Sequence, residues 1–365
     1  MQQPSAQDQY MLELVNRGRL NPQAEANRYL NGNLNEGLAG GTISTAPKQP
    51  LAFNLDLNVA AKNHSQWMLN TNTFSHTGAG GTSSNQRMRN AGYDFAGSWG
   101  SGENIAWRGT TGTPNFTGYV GQIYQDLFVD QGISGRGHRK NLMNGSFQEV
   151  GISSLQGQFT TGNRTYNSVM TAQDFAYSSN GGPFLTGVAY TDAVTDDDFY
   201  TVGEGIGGIQ ITAVDLTNNS NTFTTTTWNS GGYSLDVAPN KTYRVTFSGD
   251  LDGDGQNDDT HVEQVNISGQ NVKLDLATDE LENSSTVPTP GDDNLTYTAA
   301  NETINALGGN DTIRAAGGND SVSGGNGRDH LLGQAGKDTL NGGADHDTLN
   351  GGSGNDLLLG QGGND

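Results

Sequence analysis

The sequence predicts a multidomain chain with an α+β domain, a β-sandwich middle module and a parallel β-roll at its C-terminal end. Apolar residues at helical spacing, followed by strand-like runs, predict the α+β layers over residues 1–180. Seven short β-rich runs separated by polar turns predict the sandwich over residues 183–278. After a linker at 279–290, a nine-residue period predicts the roll over 291–365.

Charge is distributed unevenly along the chain. Residues 1–180 hold 12 of the 18 Lys and Arg and 11 of the 39 Asp and Glu, so this part is nearly neutral. The second part holds the other 28 acidic residues against 6 basic ones. A Gly-rich segment with this charge repels itself unless cations neutralise it, which argues against nucleic acid or an anionic membrane as partner. The charge therefore predicts divalent metal as the partner.

Cysteine content and hydropathy indicate whether disulfides, a membrane span or a signal peptide are to be expected. The chain has no Cys, so neither disulfides nor thiol catalysis is expected. No apolar run approaches the length of a membrane span. The N-terminal residues lack a basic segment followed by an apolar one, so no cleaved signal peptide is predicted. An export signal, if there is one, is expected elsewhere.

The C-terminal repeats are acidic at one fixed phase. The acidic positions are Asp293, Glu302, Asp311, Asp320, Asp329, Asp338, Asp347, Asp356 and Asp365. Most have Gly three residues earlier and an apolar residue two later, as in GGNGRDHLL and GGSGNDLLL. Six Gly-rich residues can form a turn and three a short strand, so two units would complete one coil of a parallel roll. Turn carbonyls and carboxylates would then surround Ca²⁺, which prefers six to eight oxygens. A disordered acidic tail would explain the composition but not the phase.

The pattern GGxGxDxUx resembles the RTX family of calcium-binding repeats, over about the last fifth of the chain. The resemblance implies Ca²⁺ as cofactor and export to the cell surface or medium by a type I secretion machinery that reads a C-terminal signal. The predicted calcium ligands are Asp311, Asp320, Asp329, Asp338, Asp347 and Asp356. The first two units, which contain Ala300 and Glu302, are degenerate. The array stops within a unit at Asp365, so we expect the secretion signal to lie outside this chain.

Two acidic loops stand out in the middle module. The first carries Asp192, Asp196, Asp198 and Glu204, and the second carries Asp250, Asp252, Asp254 and Asp258. In the second, the spacing DxDxDG places alternate oxygens around a turn made by Gly255. Both loops are predicted to bind Ca²⁺, and the alternative for each is an Asp-rich solvated turn. The run GVAYTDAVTDDDFYTVGEGIGGIQITA resembles the Ig-like modules of bacterial surface adhesins.

Three amphipathic helices are predicted in the first 180 residues. Their apolar faces comprise Met11, Leu14, Val15 and Gly18; then Leu57, Ala60, Ala61, His64 and Met68; then Val120, Ile123, Tyr124 and Leu127. Asn21 and Pro22 have the character of an N-cap and a first helical residue. The runs ENIAW, GISS and YNSVMTAQDF are predicted to be strands.

Three short motifs in this domain carry the residues of a candidate cleft. They are FSHTG with His76, SGENIAW with Glu103 and GRGHRKNLM with His138. In this order they resemble the bacterial form of the CAP superfamily, also called SCP or PR-1-like, over nearly all of 1–180. The resemblance implies an αβα sandwich, a cleft with two His and two acids, and in some members a divalent metal on the His pair. Asp130 is the candidate second acid, with Asp126 one turn earlier as the alternative.

These residues allow two kinds of function. Two imidazoles and a carboxylate could hold Zn²⁺ with a position left for water, and a second carboxylate could accept its proton, which would make a metal-dependent extracellular hydrolase of peptidase type. Alternatively, His76 and Glu103 form a buried pair that orders loops. No Ser or Thr lies in a recognised nucleophile motif. His64 is predicted to be structural, and Glu149 to cap or pair within a turn.

The sequence therefore predicts a secreted, calcium-binding CAP-domain protein that acts as a binding module for an unknown extracellular ligand, lipid or peptide. The alternative is the hydrolase, and a third possibility is a purely structural calcium protein, which would not need the cleft residues. CAP domains support several activities, so the fold does not select one.

Overall fold

The computed structural model describes residues 3–179, 181–195, 197–218, 220–251, 253, 255–257, 259–278, 288–297, 301–363 and 365. The chain forms two compact units, residues 1–277 and 278–365. The two modules predicted at 1–180 and 183–278 thus belong to one compact unit. Most of the predicted linker at 279–290 lies outside the described residues. No helix in the described part is both long and apolar enough to cross a membrane.

The first part of unit 1 is a sheet between two helical layers. Its helices are α1 Ala6–Leu20, α2 Pro22–Tyr29, α3 Leu55–Thr71, α4 Ser84–Ala91, α5 Phe116–Val129 and α6 Gly137–Leu142. Its strands are β1 Ala52–Phe53, β2 Trp99–Thr110, β3 Glu149–Thr161 and β4 Arg164–Ser178, in the order β1-β3-β4-β2. Strand β1 is parallel to β3 and the other pairs are antiparallel. Strand β2 is therefore a sheet edge.

Alternation along β4 explains the layers. Val169 and Phe175 belong to the apolar core with α1 and α5, whereas Met170 and Ala172 belong to the core with α3. The structure thus has the predicted αβα sandwich. The three predicted helices and three predicted strands are present, and Asn21 caps α2 with Pro22 in its first turn.

The second part of unit 1 consists of two sheets. Its strands are β5 Phe184–Tyr190, β6 Gln210–Asp215, β7 Thr222–Thr226, β8 Gly232–Asp236, β9 Lys241–Gly249, β10 Asp259–Ile267, β11 Val272–Lys273 and β12 Leu276–Ala277. One sheet has the order β10-β9-β6-β7, and in the other β5 pairs with β8, β11 and β12. Tyr233 and Phe247 join the sheets through an edge-to-face contact at 6.0 Å. Each predicted run forms a strand, and the last is split in two.

The two parts of unit 1 share buried polar and aromatic contacts. The side-chain amide of Asn271 donates to the carbonyls of Pro50 and Gln148. The rings of Phe53 and Trp228 lie 5.8 Å apart. Asn271 and Trp228 of the middle module thus contact the chain at β1 and just before β3.

Unit 2 is a parallel solenoid. Its strands are β13 Asn294–Thr296, β14 Thr303–Asn305, β15 Thr312–Arg314, β16 Ser321–Asn326, β17 His330–Leu332, β18 Thr339–Ala344, β19 Thr348–Asn350 and β20 Leu357–Gln361. Odd-numbered strands form one sheet and even-numbered strands the other. Leu295 pairs with Ile313, and Ile313 with Leu331, so equivalent residues recur every 18 positions. The nine-residue phase predicted this roll correctly, and its apolar residues form the thin core.

Candidate cleft and calcium sites

The first His and acid pair of the cleft joins a loop to edge strand β2. His76 lies between α3 and α4, and its Nδ1 is 2.7 Å from Oε1 of Glu103. The His76 side chain is 57 % exposed, whereas Glu103 is 8 % exposed. Arg87 of α4 contacts the other Glu103 oxygen and donates to the His76 carbonyl at 3.0 Å. One buried carboxylate therefore holds an exposed imidazole.

The second pair lies where α5 ends and α6 begins. Asp130 follows α5 in a left-handed conformation, and its Oδ1 is 2.7 Å from Nδ1 of His138. Its Oδ2 accepts the backbone N–H of His138 at 2.9 Å. Asp126 instead pairs with Arg108 at 2.7 Å. Of the two candidate acids, Asp130 is the one that the structure places against His138.

Two Asn side chains bring both pairs to the same stretch of β2. The Asn141 amide of α6 donates to the carbonyl of Glu103 at 3.2 Å. The Asn104 amide donates to the carbonyl of His138 at 3.3 Å. The four residues selected from the sequence thus meet around adjacent positions of one edge strand.

Both imidazoles are anchored in the same way. An ionised carboxylate only accepts hydrogen bonds, so each Nδ1 donates and Nε2 is the nitrogen available to a ligand. Around the two cleft His, the described residues contain no group of three His, Asp or Glu side chains that could hold a metal ion. The predicted set of two imidazoles and a carboxylate is therefore not assembled there, since each carboxylate is engaged at Nδ1.

The pKa of Glu103 is lowered. Burial alone would raise it, but the hydrogen bond from His76 and the charge of Arg87 outweigh burial. The carboxylate consequently stabilises the fold above its unfolded pKa near 4.5, and this contribution is lost as pH falls through the lower folded value.

Replacing Glu103 with Gln is expected to lower the free energy of unfolding at neutral pH by about 1.5–3 kcal/mol, the range for hydrogen bonds to charged groups. The difference from the wild type should shrink as pH falls below 4.5, where the wild type loses the same contribution. Urea denaturation at several pH values measures this. A difference that does not change with pH would show that the charge of Glu103 is unimportant.

Sequence reasoning missed two side chains beside Glu103. Arg87 lies in α4 and belongs to none of the motifs. Asp174 is fully buried and directly opposite Glu103 in the pairing of β2 with β4. Burial and the nearby Glu103 charge raise the pKa of Asp174 well above its usual value. The one sequence feature that could have pointed to Asp174 is an acidic residue within the otherwise apolar and neutral predicted strand YNSVMTAQDF.

The structure agrees with the prediction for His64 and differs from that for Glu149. His64 is buried, stacks on Trp67 and has its Nε2 2.9 Å from the Ser75 carbonyl, in agreement with a structural role. Glu149 is not in a turn: it begins β3 and accepts hydrogen bonds from Asn54 and Tyr93, each at 2.6 Å. Its placement in a turn was wrong because the parallel partner β1 extends β3 to this residue.

The two acidic loops of the middle module are described in part. Asp196 in the first loop and Asp252, Asp254 and Asp258 in the second lie outside the described residues. In the second loop, Asp250 accepts from the backbone N–H groups of Gly253 and Gly255 at 2.8 and 3.1 Å. Calcium binding at this loop remains a prediction.

At five of the phased Asp residues of the roll, one carboxylate oxygen accepts a backbone N–H from the neighbouring coil and the other has no hydrogen-bond partner among the described residues. Oδ1 of Asp329 accepts the backbone N–H of Asp311 at 2.9 Å, and the pattern continues along the unit at a separation of 18 residues. The second carboxylate oxygens are buried and have no hydrogen-bond partner among the described residues at Asp311, Asp320, Asp329, Asp338 and Asp347. Asp356 has the same Oδ1 bond, to the N–H of Asp338, and is half-buried.

Glycine is required next to these oxygens, because they lie where a side chain would be. A Cβ on Gly324 would lie 2.2 Å from Oδ2 of Asp329 and 2.6 Å from the carbonyl oxygen of Gly342. Carboxylate and carbonyl oxygens therefore converge where a side chain is missing, as a hard cation requires. Burial and the charges of neighbouring acids raise the pKa of Asp329 to about 6. The row fits calcium, which supplies the positive charge that this acidic row needs.

Two family models match parts of this chain. The model of the cysteine-rich secretory protein family, CAP, matches residues 12–175, although this chain has no Cys. The model of the RTX calcium-binding nonapeptide repeat matches residues 296–331 and 332–365. A search of curated proteins found no significant match. Among solved structures, an extracellular SCP-domain protein from Bacillus anthracis str. Ames matches at 20 % identity and a TM-score of 0.27, over 46 % of this chain and 39 % of that one.

Both matched modules are typical of extracellular proteins, and RTX repeats bind Ca²⁺. The family matches coincide with the αβα sandwich and with the parallel roll described above. The chain therefore carries a CAP domain at residues 12–175 and RTX calcium-binding repeats at 296–365.

Proposed function

We propose that this protein is secreted by a type I machinery and acts outside the cell or at its surface as a binding module. The CAP cleft would contact the ligand, a lipid or peptide, and calcium would order the roll. The observation that carries the proposal is the engagement of both cleft carboxylates. One Glu103 oxygen faces His76 and the other Arg87, and Asp130 accepts from both the ring and the backbone of His138. Neither acid is free to act as a general base.

The exposed part of the cleft is the imidazole of His76. Its Nδ1 is fixed and its outer edge faces solvent, so it can accept or donate one hydrogen bond to a ligand. No Ser or Thr hydroxyl is hydrogen-bonded to either cleft His among the described residues, so the arrangement of an activated nucleophile is not present there. Recognition therefore fits the geometry better than covalent turnover.

One observation favours the metal-dependent hydrolase as second candidate. A carboxylate on Nδ1 is the usual partner of a metal-binding His, because it fixes the ring and strengthens Nε2 as a ligand. Both His76 and His138 have such a carboxylate. If Zn²⁺ binds, these two imidazoles would hold it, and it would polarise a bound water or carbonyl.

Calorimetric titration of the calcium-loaded full chain with Zn²⁺ distinguishes the two candidates. The control variants are His76→Ala with His138→Ala, and His330→Ala with His346→Ala in the roll. The binding-module proposal predicts no zinc binding that depends on the cleft pair. Saturable binding that disappears only in the His76 and His138 variant, together with zinc-dependent hydrolysis of peptides, would establish the hydrolase instead.

A further inference from the structure

The acidic loop, residues 192–204, connects β5 to β6 and contains two buried carboxylates. Asp192 is 3 % exposed and Glu204 is 1 % exposed. Asp197 and Asp198, both exposed, lie between them. Among the described residues, none of these four acids has an ion pair with Lys, Arg or His. Buried charges in proteins are normally paired with an opposite charge or bound to a metal, because isolated ones are very costly.

The hydrogen bonds of the two buried acids differ. One oxygen of Glu204 accepts the backbone N–H groups of Val194 and Thr195, both at 3.0 Å. The other Glu204 oxygen accepts the backbone N–H of Thr201. Asp192 accepts the N–H of Asp198 at 2.9 Å through Oδ2. Its buried Oδ1 has no hydrogen-bond partner among the described residues. Backbone N–H groups of the loop thus bind one oxygen of the buried Asp192 carboxylate, and the other oxygen is left without a partner in the described part of the chain.

The aromatic residues of this loop pack on the first helix of the CAP domain. The Phe199 ring lies 6.3 Å from the Tyr10 ring and 5.1 Å from the Arg17 guanidinium carbon. The Tyr200 hydroxyl donates to the Ala6 carbonyl at 3.5 Å, and Tyr200 is buried. Phe199 directly follows Asp198, whose N–H is bound to Asp192. The Asp192 carboxylate is therefore connected to the aromatic pair on α1 through one adjacent residue, Asp198.

We propose that the acidic loop binds one calcium ion through Asp192, and that this ion seats Phe199 and Tyr200 on α1, so that calcium stabilises the CAP domain directly. Ca²⁺ fits because it takes several hard oxygens in a flexible geometry, and the unpartnered Oδ1, the loop carbonyls and water are oxygens of this kind. By thermodynamic linkage, an ion that binds more tightly when Phe199 and Tyr200 are packed on α1 also stabilises that packed state. The site is separate from the roll and from the His76 cleft.

Hydrogen exchange measured by mass spectrometry on the full chain tests this, with calcium or with a chelator. At about ten times the dissociation constant, calcium should slow exchange in α1 by about tenfold, by mass action on the seated state. Asp192→Asn should abolish the slowing in α1 while the roll still gains protection with calcium. The roll is thus an internal control for calcium loading, and the exposed Asp94→Asn is the matched charge control.

A second variant separates binding from seating. In Phe199→Ala, calcium should still protect the acidic loop, but the response of α1 should fall to a small fraction of that in the wild type. The proposal is overturned if exchange in α1 does not depend on calcium in the wild type, or if its calcium response survives in Asp192→Asn. Either result would leave the function proposed for the roll and the cleft untouched.

Discussion

Replacing Lys273 with Met is expected to lower the free energy of unfolding of unit 1 by about 3–5 kcal/mol, the usual cost of removing one partner of a buried ion pair. The Lys273 ammonium lies 2.8 Å from Oε2 of Glu13 in α1 and also contacts Asp275. Its side chain is 13 % exposed and that of Glu13 is 3 % exposed. Without it, two neighbouring carboxylates lose their counterion, one of them deep inside unit 1.

The pH dependence of this effect has a definite sign. Burial lowers the pKa of Lys273, but the charges of Asp275 and Glu13 outweigh burial, so the net shift is upward from 10.5. The stabilisation is therefore fully present below that pH and is lost only at higher pH. The midpoint of urea unfolding measures it, with the exposed Lys140→Met as control. Adding Glu13→Gln to Lys273→Met should restore part of the loss, and equal midpoints for Lys273→Met and wild type would refute this account.

Chelation of calcium is expected to remove most of the β-structure of residues 288–365 while unit 1 stays folded. Among the described residues of the roll, a row of buried carboxylate oxygens has no hydrogen-bond partner, and the core contains about one large apolar residue per repeat. Such a core cannot offset the desolvation and repulsion of the acids. Far-UV circular dichroism of the full chain before and after chelation measures the loss, and restored calcium should reverse it.

A single substitution should act in the same direction. Asp329→Asn removes one charge from the middle of the row and should raise the calcium concentration at which the roll folds. The exposed Asp126→Asn in unit 1 should leave that concentration unchanged. A roll that keeps its spectrum in chelator would count against calcium as the folding partner.

Regular patterns explain why parts of the fold could be predicted. The roll could be predicted from its nine-residue period because every coil repeats the same contacts. Each coil has two repeats, so equivalent Asp residues meet at a separation of 18. The helices followed from their apolar faces. Sheet order and the contacts between modules could not be predicted, since the Glu13 and Lys273 pair joins distant positions and has no local signature.

Only those cleft residues that lie in short sequence motifs could be predicted. His76, Glu103 and His138 stand in recognisable short runs, and the structure brings them to one edge of the sheet. Asp130, the candidate second acid, is left-handed at the end of α5 and its carboxylate contacts His138 of α6, whereas the alternative Asp126 pairs with Arg108. Arg87 and Asp174 belong to no motif, because their roles arise from burial beside Glu103.

The central claim is that calcium lies between the phased Asp carboxylates and the glycine carbonyls of the roll. Anomalous X-ray scattering from crystals grown with calcium tests it most directly, since the ion is located by its own signal. We predict anomalous peaks within coordination distance of Oδ2 of Asp329 and Asp338, at about 2.3–2.6 Å. Crystals with an ordered roll and no peak beside these oxygens would contradict the account.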